Sequence, residues 1–288
     1  MKPVLQELMG RYAPQTRAEY ESALREIVQE LTLLGLWRAK FYEHAAFYGG
    51  TALRIFHGLR RFSEDLDFSL LKPDATFDPH PYLRAVEEEL TAFGFSVEVE
   101  RRKKNVETAI ESAFIKGETT VNLLRIGAPP ALAGGLPRSQ RVRIKMEIDT
   151  DPPPGAGFEV RTLLVPIPFQ VKLYTPADLF AGKVHAVLCR KWKNRVKGRD
   201  YYDFVWHVGR GTPCHLAHLE SRMRQTGHWE EKRALVEADV RAFLLERFGQ
   251  VDFETAKKDV LPFLRDSEEV ALWSPAFFRR VAEGMKFN

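Results

Sequence analysis

The spacing of apolar residues divides the chain into three kinds of stretch. Over residues 16–37, Tyr20, Leu24, Ile27, Val28, Leu31 and Leu34 recur every three or four positions, which predicts one face of an amphipathic helix. Residues 41–47 continue as a short helical or extended segment leading into Gly49 and Gly50. Ala52, Leu53, Ile55 and Phe56 then predict a short helix that starts at Thr51 and stops at Gly58. In the next stretch, residues 65–70, polar and apolar positions alternate, so Leu66 and Phe68 face a core while Asp65 and Asp67 share the other face. A loop rich in proline and aspartate follows, then a helix over residues 82–93 that Gly94 ends.

From residue 95 to 172 the pattern shifts towards alternation and predicts strands at 96–100, 119–126, 142–149 and 159–165. The clearest has Val142, Ile144, Met146 and Ile148 on one face, with Arg143, Lys145, Glu147 and Asp149 on the other. Beyond Pro176 helices take over, at 177–190, 201–208, 215–225, 229–248, 254–264 and 274–285. The expected fold class is α+β: a mixed sheet with flanking helices over residues 1–170, then a helical domain over 171–288.

Composition narrows this little. A chain of 288 residues, 44% hydrophobic and 28% charged, suits one large or two medium globular domains. No apolar run is long enough to span a bilayer, and the start of the chain does not read as a signal peptide, so the expected compartment is the cytoplasm, without a membrane partner. Cys189 and Cys214 fit no paired metal-ligand spacing, and the eight histidines show none either. His57, His185 and His207 are therefore read as structural. A net charge of +4 permits nucleic acid as a partner without pointing to it; the placement of the cations matters more. Lys191, Lys193, Arg195, Lys197 and Arg199 flank Trp192 and precede Tyr201 and Tyr202, a basic and aromatic stretch suited to an RNA end.

Two adjacent glycines after an apolar approach let the backbone turn sharply, and the helix behind them would aim its first N–H groups at an anion in that turn. Two carboxylates side by side, Asp65 and Asp67, repel unless a divalent cation lies between them. Asp-x-Asp alone would read as solvated acids; joined to Gly49-Gly50-Thr51 at this distance, it reads as a metal site. A third carboxylate could come from Glu147 or Asp149, and either could equally pair with Lys145 or Arg143 as surface charge. Lys183, in an otherwise small and apolar run, needs a partner or an exit to solvent, and Asp200 or Asp203 could supply the partner.

Apolar residue, Gly, hydroxyl residue, short helix and Asp-apolar-Asp-apolar together resemble the signature of the polymerase-β-like nucleotidyltransferase fold. The fuller string Gly49-Gly50-Thr51-Ala52-Leu53, with Arg61 and Ser63-Glu64-Asp65-Leu66-Asp67-Phe68, resembles the AbiEii/AbiGii toxin family, which includes the MenT-type toxins. Thr51 stands where serine is common in the broad superfamily. The downstream Lys183 and Arg199-Asp200-x-x-Asp203 resemble later motifs of the same family. The resemblance implies Asp65, Asp67, Lys183 and Asp200 as catalytic residues. It implies Mg2+ or Mn2+ on Asp65, Asp67 and Glu147, and an NTP held by Gly50, Thr51 and Lys183. Asp200 would orient Lys183 or help activate the acceptor hydroxyl. It further implies transfer to the 3′ end of tRNA, held by Lys191, Lys193, Arg195 and Lys197, with translation blocked as the result. The partner would be an antitoxin of AbiEi type, often DNA-binding. A protein or small-molecule acceptor is the alternative enzyme reading, and a non-catalytic nucleotide- or RNA-binding module the alternative from another class.

Overall fold

In the computed structural model, which describes residues 3–101, 109–133, 141–190 and 196–288, α1 (Pro3–Gly10) precedes the long α2 (Arg17–Arg38). Thr16 opens α2 with a reciprocal cap: its hydroxyl accepts from Glu19 N at 3.3 Å, and the Glu19 carboxylate accepts from Thr16 N at 2.9 Å. Leu24, Ile27, Val28, Leu31 and Leu34 are buried, as their spacing predicts, and Tyr20 is half-buried.

A short 3-10 turn at Phe41–Glu43 leads to β1 (Ala45–Tyr48), α3 (Gly49–His57), β2 (Leu66–Leu70) and α4 (His80–Ala92). Then follow β3 (Val97–Arg101), β4 (Ile110–Glu118), α5 (Thr119–Arg125), α6 (Pro130–Ala133), β5 (Arg141–Asp149), β6 (Phe158–Leu163) and β7 (Phe169–Tyr174). Among the described residues these strands form a seven-stranded sheet in the order β3-β4-β5-β2-β1-β7-β6. It is mixed, as expected: β2 runs antiparallel to β1 and parallel to β5, and β1 runs parallel to β7.

The strand expected at 119–126 is instead α5, and the strand lies just before it, as β4. Ile110–Glu118 buries Ala113 and Ile115 on one face, a true alternation. The β-branched Thr119, Thr120 and Val121 favour a strand locally, but the Asn122 side chain accepts from Ser96 N at 3.0 Å and donates to Ser96 O at 3.1 Å. That tie accompanies a helical turn in which Leu123 and Ile126 are buried. Residues 229–236, expected as helix, form irregular structure in which Arg224 donates to the carbonyls of Glu231 and Arg233 at 2.8 and 2.9 Å.

The C-terminal helices are α7 (Pro176–Cys189), α8 (Gly198–Gly209), α9 (Leu216–Gln225), α10 (Glu237–Gln250), α11 (Phe253–Val260) and α12 (Pro275–Glu283). A two-strand pairing of β8 (Pro213–Cys214) with β9 (Lys286–Phe287) accompanies them. None of the helices among the described residues is long and apolar enough to cross a membrane.

The chain groups into two compact units. One comprises Met1–Thr51, Glu64–Pro152 and Val160–Leu173, and the other Ala52–Ser63, Pro153–Glu159 and Tyr174–Asn288. In the first, the sheet buries Phe47, Phe68, Ile144, Met146 and Ile148. In the second, aromatic rings build the core: Phe253 stacks on Phe278 at 4.5 Å, and Tyr201 meets Phe278 edge-on at 5.6 Å. Gly198 opens α8 where α11 comes close, since a Cβ there would lie 1.9 Å from Ala256 O. Its N–H donates to Asp259 at 2.9 Å.

Candidate active site

In the first unit, strand register brings the candidate carboxylates together. Tyr48 pairs with Asp67, Asp67 with Glu147, and Glu147 with Ser112, so four neighbouring strands present one continuous row. All four residues are half-buried, whereas the preceding row, Leu66, Met146 and Ala113, is buried. Paired residues in adjacent strands point to the same face, so Asp67 and Glu147 share a surface. Asp149 pairs with Ser69, two residues farther along β2, and accepts from Asp151 N at 3.0 Å. Glu147 forms an ion pair with Lys145 at 2.5 Å, as the surface-charge reading of this strand allows. Arg143 stacks over the Phe114 ring at 3.8 Å.

Gly49 sits at the end of β1 with φ +83°, a conformation that favours glycine. A Cβ there would lie 2.3 Å from Asp67 Oδ2, so the missing side chain is what lets the carboxylate stand against the turn. The helix begins at Gly49, two residues earlier than the sequence predicts, and ends at His57, just before Gly58 with φ +77°. Thr51 is buried and donates its hydroxyl hydrogen to the Asp65 carbonyl at 2.5 Å. That bond ties the start of α3 to the residue before β2. A phosphate at this turn would thus meet backbone N–H groups rather than a free hydroxyl donor.

The second unit holds a different charge cluster. Asp203, fully buried, accepts from Arg61 Nε at 2.6 Å through Oδ1 and from Arg61 Nη2 at 2.7 Å through Oδ2, a two-point pairing, and Lys183 Nζ lies 2.7 Å from the same Oδ2. Burial alone would raise the Asp203 carboxyl, but the charges of Arg61 and Lys183 outweigh it and hold the group well below the ordinary carboxylate range. Burial likewise acts to lower the Arg61 guanidinium, and Asp203 raises it. Arg61 lies in a loop anchored at further points: Phe62 N donates to Phe263 O at 2.8 Å, and Arg54 donates to Arg60 O at 2.7 Å.

Of the two acids open as partner for Lys183, Asp203 takes the role. Asp200 is buried and faces Arg190, whose Nε lies 3.0 Å from Oδ2. Asp203 escaped the sequence reading as a site residue, although a carboxylate between Tyr202 and Phe204 on a helix is a signal that it must be paired. Lys191, Lys193 and Arg195 lie outside the described residues. Lys197 is half-buried, and burial lowers its ammonium from the ordinary range against the opposing charge of Asp200. Tyr201 and Tyr202, which follow the basic stretch suited in sequence to an RNA end, are buried: the first joins the aromatic core and the second donates to Glu269 at 2.6 Å. His207 is a core ring stacked on Phe180 at 4.6 Å, and burial lowers it to about 3.

A glycine turn between strand and helix, followed by one acid just before the next strand and a second on it, in a mixed sheet, matches a nucleotidyltransferase fold. The solved structures that resemble this chain include two from Helicobacter pylori. One is a Helicobacter pylori protein provisionally described as a nucleotidyltransferase (TM-score 0.51, 18% identity, covering 90% of this chain and 92% of that one). The other is JHP933 from Helicobacter pylori (TM-score 0.50, 17% identity, 91% and 90% covered). No curated protein matches. The family model described as nucleotidyl transferase AbiEii toxin, type IV toxin–antitoxin system, matches residues 31–282. The chain belongs to this family and is a nucleotidyltransferase, and the family implies an antitoxin partner.

Gly49→Ala is expected to lower transfer about 10²-fold, since displacing a catalytic group by about 1 Å costs that much. Gly58→Ala is the control: its φ is also positive, but nothing lies within 4 Å of its added Cβ, so it should lose stability and keep its turnover per folded molecule. Equal losses of turnover in the two would show that backbone strain, not the Asp67 contact, is responsible.

Proposed function

We propose that this chain transfers nucleotides from an NTP to the 3′ end of tRNA, with Mg2+ held by Asp65 and Asp67, and so blocks translation as a toxin of the MenT kind. The observation that supports the reading is Asp67, in register with Glu147 and with its carboxylate against the Gly49 turn. This donor set fits the metal: carboxylate oxygens alone suit a hard cation such as Mg2+ or Mn2+ rather than a soft one. Glu147 is better placed than Asp149 as a third ligand, and it would exchange Lys145 for the cation. A divalent cation bound there lowers the pKa of the acceptor hydroxyl and neutralises phosphate charge.

In the transfer, the acceptor's ribose oxygen bonds to the α-phosphorus as the bridge to the β-phosphate breaks and pyrophosphate leaves. Asp67, fixed by its strand pairing and by the space at Gly49, presents its carboxylate in one orientation. Gly50 and Thr51 contribute first-turn N–H groups suited to the β- and γ-phosphates, and Thr51 also holds the Asp65 backbone. Lys183, positioned by Asp203, supplies a cation for the triphosphate. With that partner assigned, Asp200 is left with the acceptor hydroxyl or with fixing Arg190. Lys191, Lys193, Arg195 and Lys197 would meet the RNA phosphates, and the antitoxin would be of AbiEi type, acting in the cytoplasm.

The test incubates the purified protein with each labelled NTP, Mg2+ and total tRNA. Label on RNA from at least one nucleotide is the expected result. Label on protein or on a small molecule alone would move the acceptor, and no label on RNA from any nucleotide would remove the tRNA assignment.

A further inference from the structure

The second unit carries a side-chain cluster that nucleotide transfer does not use. His185 and Cys189 stand four residues apart on α7 and so share a face, and His228 lies in the turn after α9. One ligand atom from each lies within 4.8 Å of the other two. We propose that His185, Cys189 and His228 bind a zinc-class divalent ion, which pins the turn after α9 to the helix that carries Lys183.

Two imidazole nitrogens and a thiolate sulfur select a borderline-soft ion and are a poor match for Mg2+, so this site and the carboxylate site draw on different metals. Zinc bonds of about 2.0 Å to nitrogen and 2.3 Å to sulfur give a tetrahedral edge of roughly 3.3–3.8 Å, so the three atoms need to close by only about 1 Å. His228 is exposed and can swing to make that closure; Cys189 is buried and His185 half-buried, which shields the bound ion.

The rings are already held by a shared outer group. Thr226 Oγ1 lies 2.9 Å from His185 Nε2 and 2.9 Å from His228 Nδ1, and its own hydrogen goes to Arg222 O at 3.0 Å. With its hydrogen on Arg222 O, the hydroxyl oxygen can accept from both rings, a tautomer that would leave the second nitrogen of each ring to bind an ion. Outer partners of this sort orient metal-binding histidines and set their tautomer. A cavity of about 190 Å³ beside Cys189 and His228, lined also by Glu246, leaves room for a fourth ligand, either a water or that carboxylate. The sequence hid the site because its third member is far along the chain. A His-x-x-x-Cys pair on one helix face is the only part of it that lies close in sequence.

The test strips the full-length protein with a chelator and titrates it with Co2+ as a spectroscopic probe. One thiolate-bound cobalt per chain is expected, with a thiolate-to-metal charge-transfer band and tetrahedral ligand-field bands, all displaced by Zn2+. Cys189→Ser should abolish the charge-transfer band. His228→Ala, at an exposed position that does not threaten folding, should weaken binding by about tenfold or more. Asp67→Ala should leave the spectrum unchanged. No charge-transfer band in the wild-type protein, a band that survives Cys189→Ser, full affinity in His228→Ala, or a band lost in Asp67→Ala would each overturn the assignment.

Discussion

Asp67→Ala is expected to lower nucleotide transfer about 10³-fold or more while leaving the circular dichroism spectrum and the urea midpoint close to wild type. Charge stabilisation by a held cation contributes several kcal/mol to such reactions, and each 1.4 kcal/mol is a factor of about ten in rate. The fold should tolerate the change because Asp67 is half-buried on the polar row of the sheet, with the packing face formed by its neighbours Leu66 and Phe68. The register grades the neighbouring acids. Glu147→Gln should cost less than Asp67→Ala, because Glu147 divides itself with Lys145, and Asp149→Asn should cost least, standing beside Ser69 rather than Asp67. Single-turnover rates with labelled NTP rank the three variants. Full activity in Asp67→Ala would mean that the cation is held elsewhere.

Asp203→Asn is expected to be the most destabilising of the charge-removing changes in the second unit, by roughly 3–5 kcal/mol, because it strands two cations out of water at once. Arg61 is nearly inaccessible and Lys183 is only 15% exposed, so neither can recover hydration by turning outwards. Asp200→Asn should cost less, since the Arg190 it releases is 43% exposed and can reach solvent. The pH dependence has a definite sign. The folded Asp203 carboxyl lies below its ordinary value of 3.8, so its contribution is fully present above that value and is lost as pH falls towards the folded one. The gap between wild type and Asp203→Asn should therefore stay constant from pH 7 down to about 4 and narrow below it. Urea unfolding followed by tryptophan fluorescence at pH 7, 5 and 3.5 measures the gap. A gap under about 1 kcal/mol at pH 7 would mean that the cluster holds no net stabilising charge.

What local order could settle was legible in the residues. The three- and four-residue spacing of α2 and its Thr16 cap, the alternation of β5, the stops at Gly58 and Gly94 and the Gly49-Gly50-Thr51 to Asp67 string are all determined by neighbours within a few positions. Such features survive in an isolated sequence because dihedral preference and side-chain period act at short range. Even there, α5 escaped, since three β-branched residues in a row imitate a strand until the Asn122 bonds to Ser96 are known.

Only the tertiary structure decided which distant groups meet. Glu147 stands beside Asp67 because β5 pairs in parallel with β2, and no local pattern specifies that register. Asp203, not Asp200, receives Lys183 and Arg61: both acids are buried on α8, and the choice depends on which cations reach each one. His228 likewise approaches Cys189 only through the packing of α7 with the turn after α9. Period and capping are properties of a segment, whereas the partner of a buried charge is a property of the assembled core, where low polarity makes an unpaired ion too costly to leave.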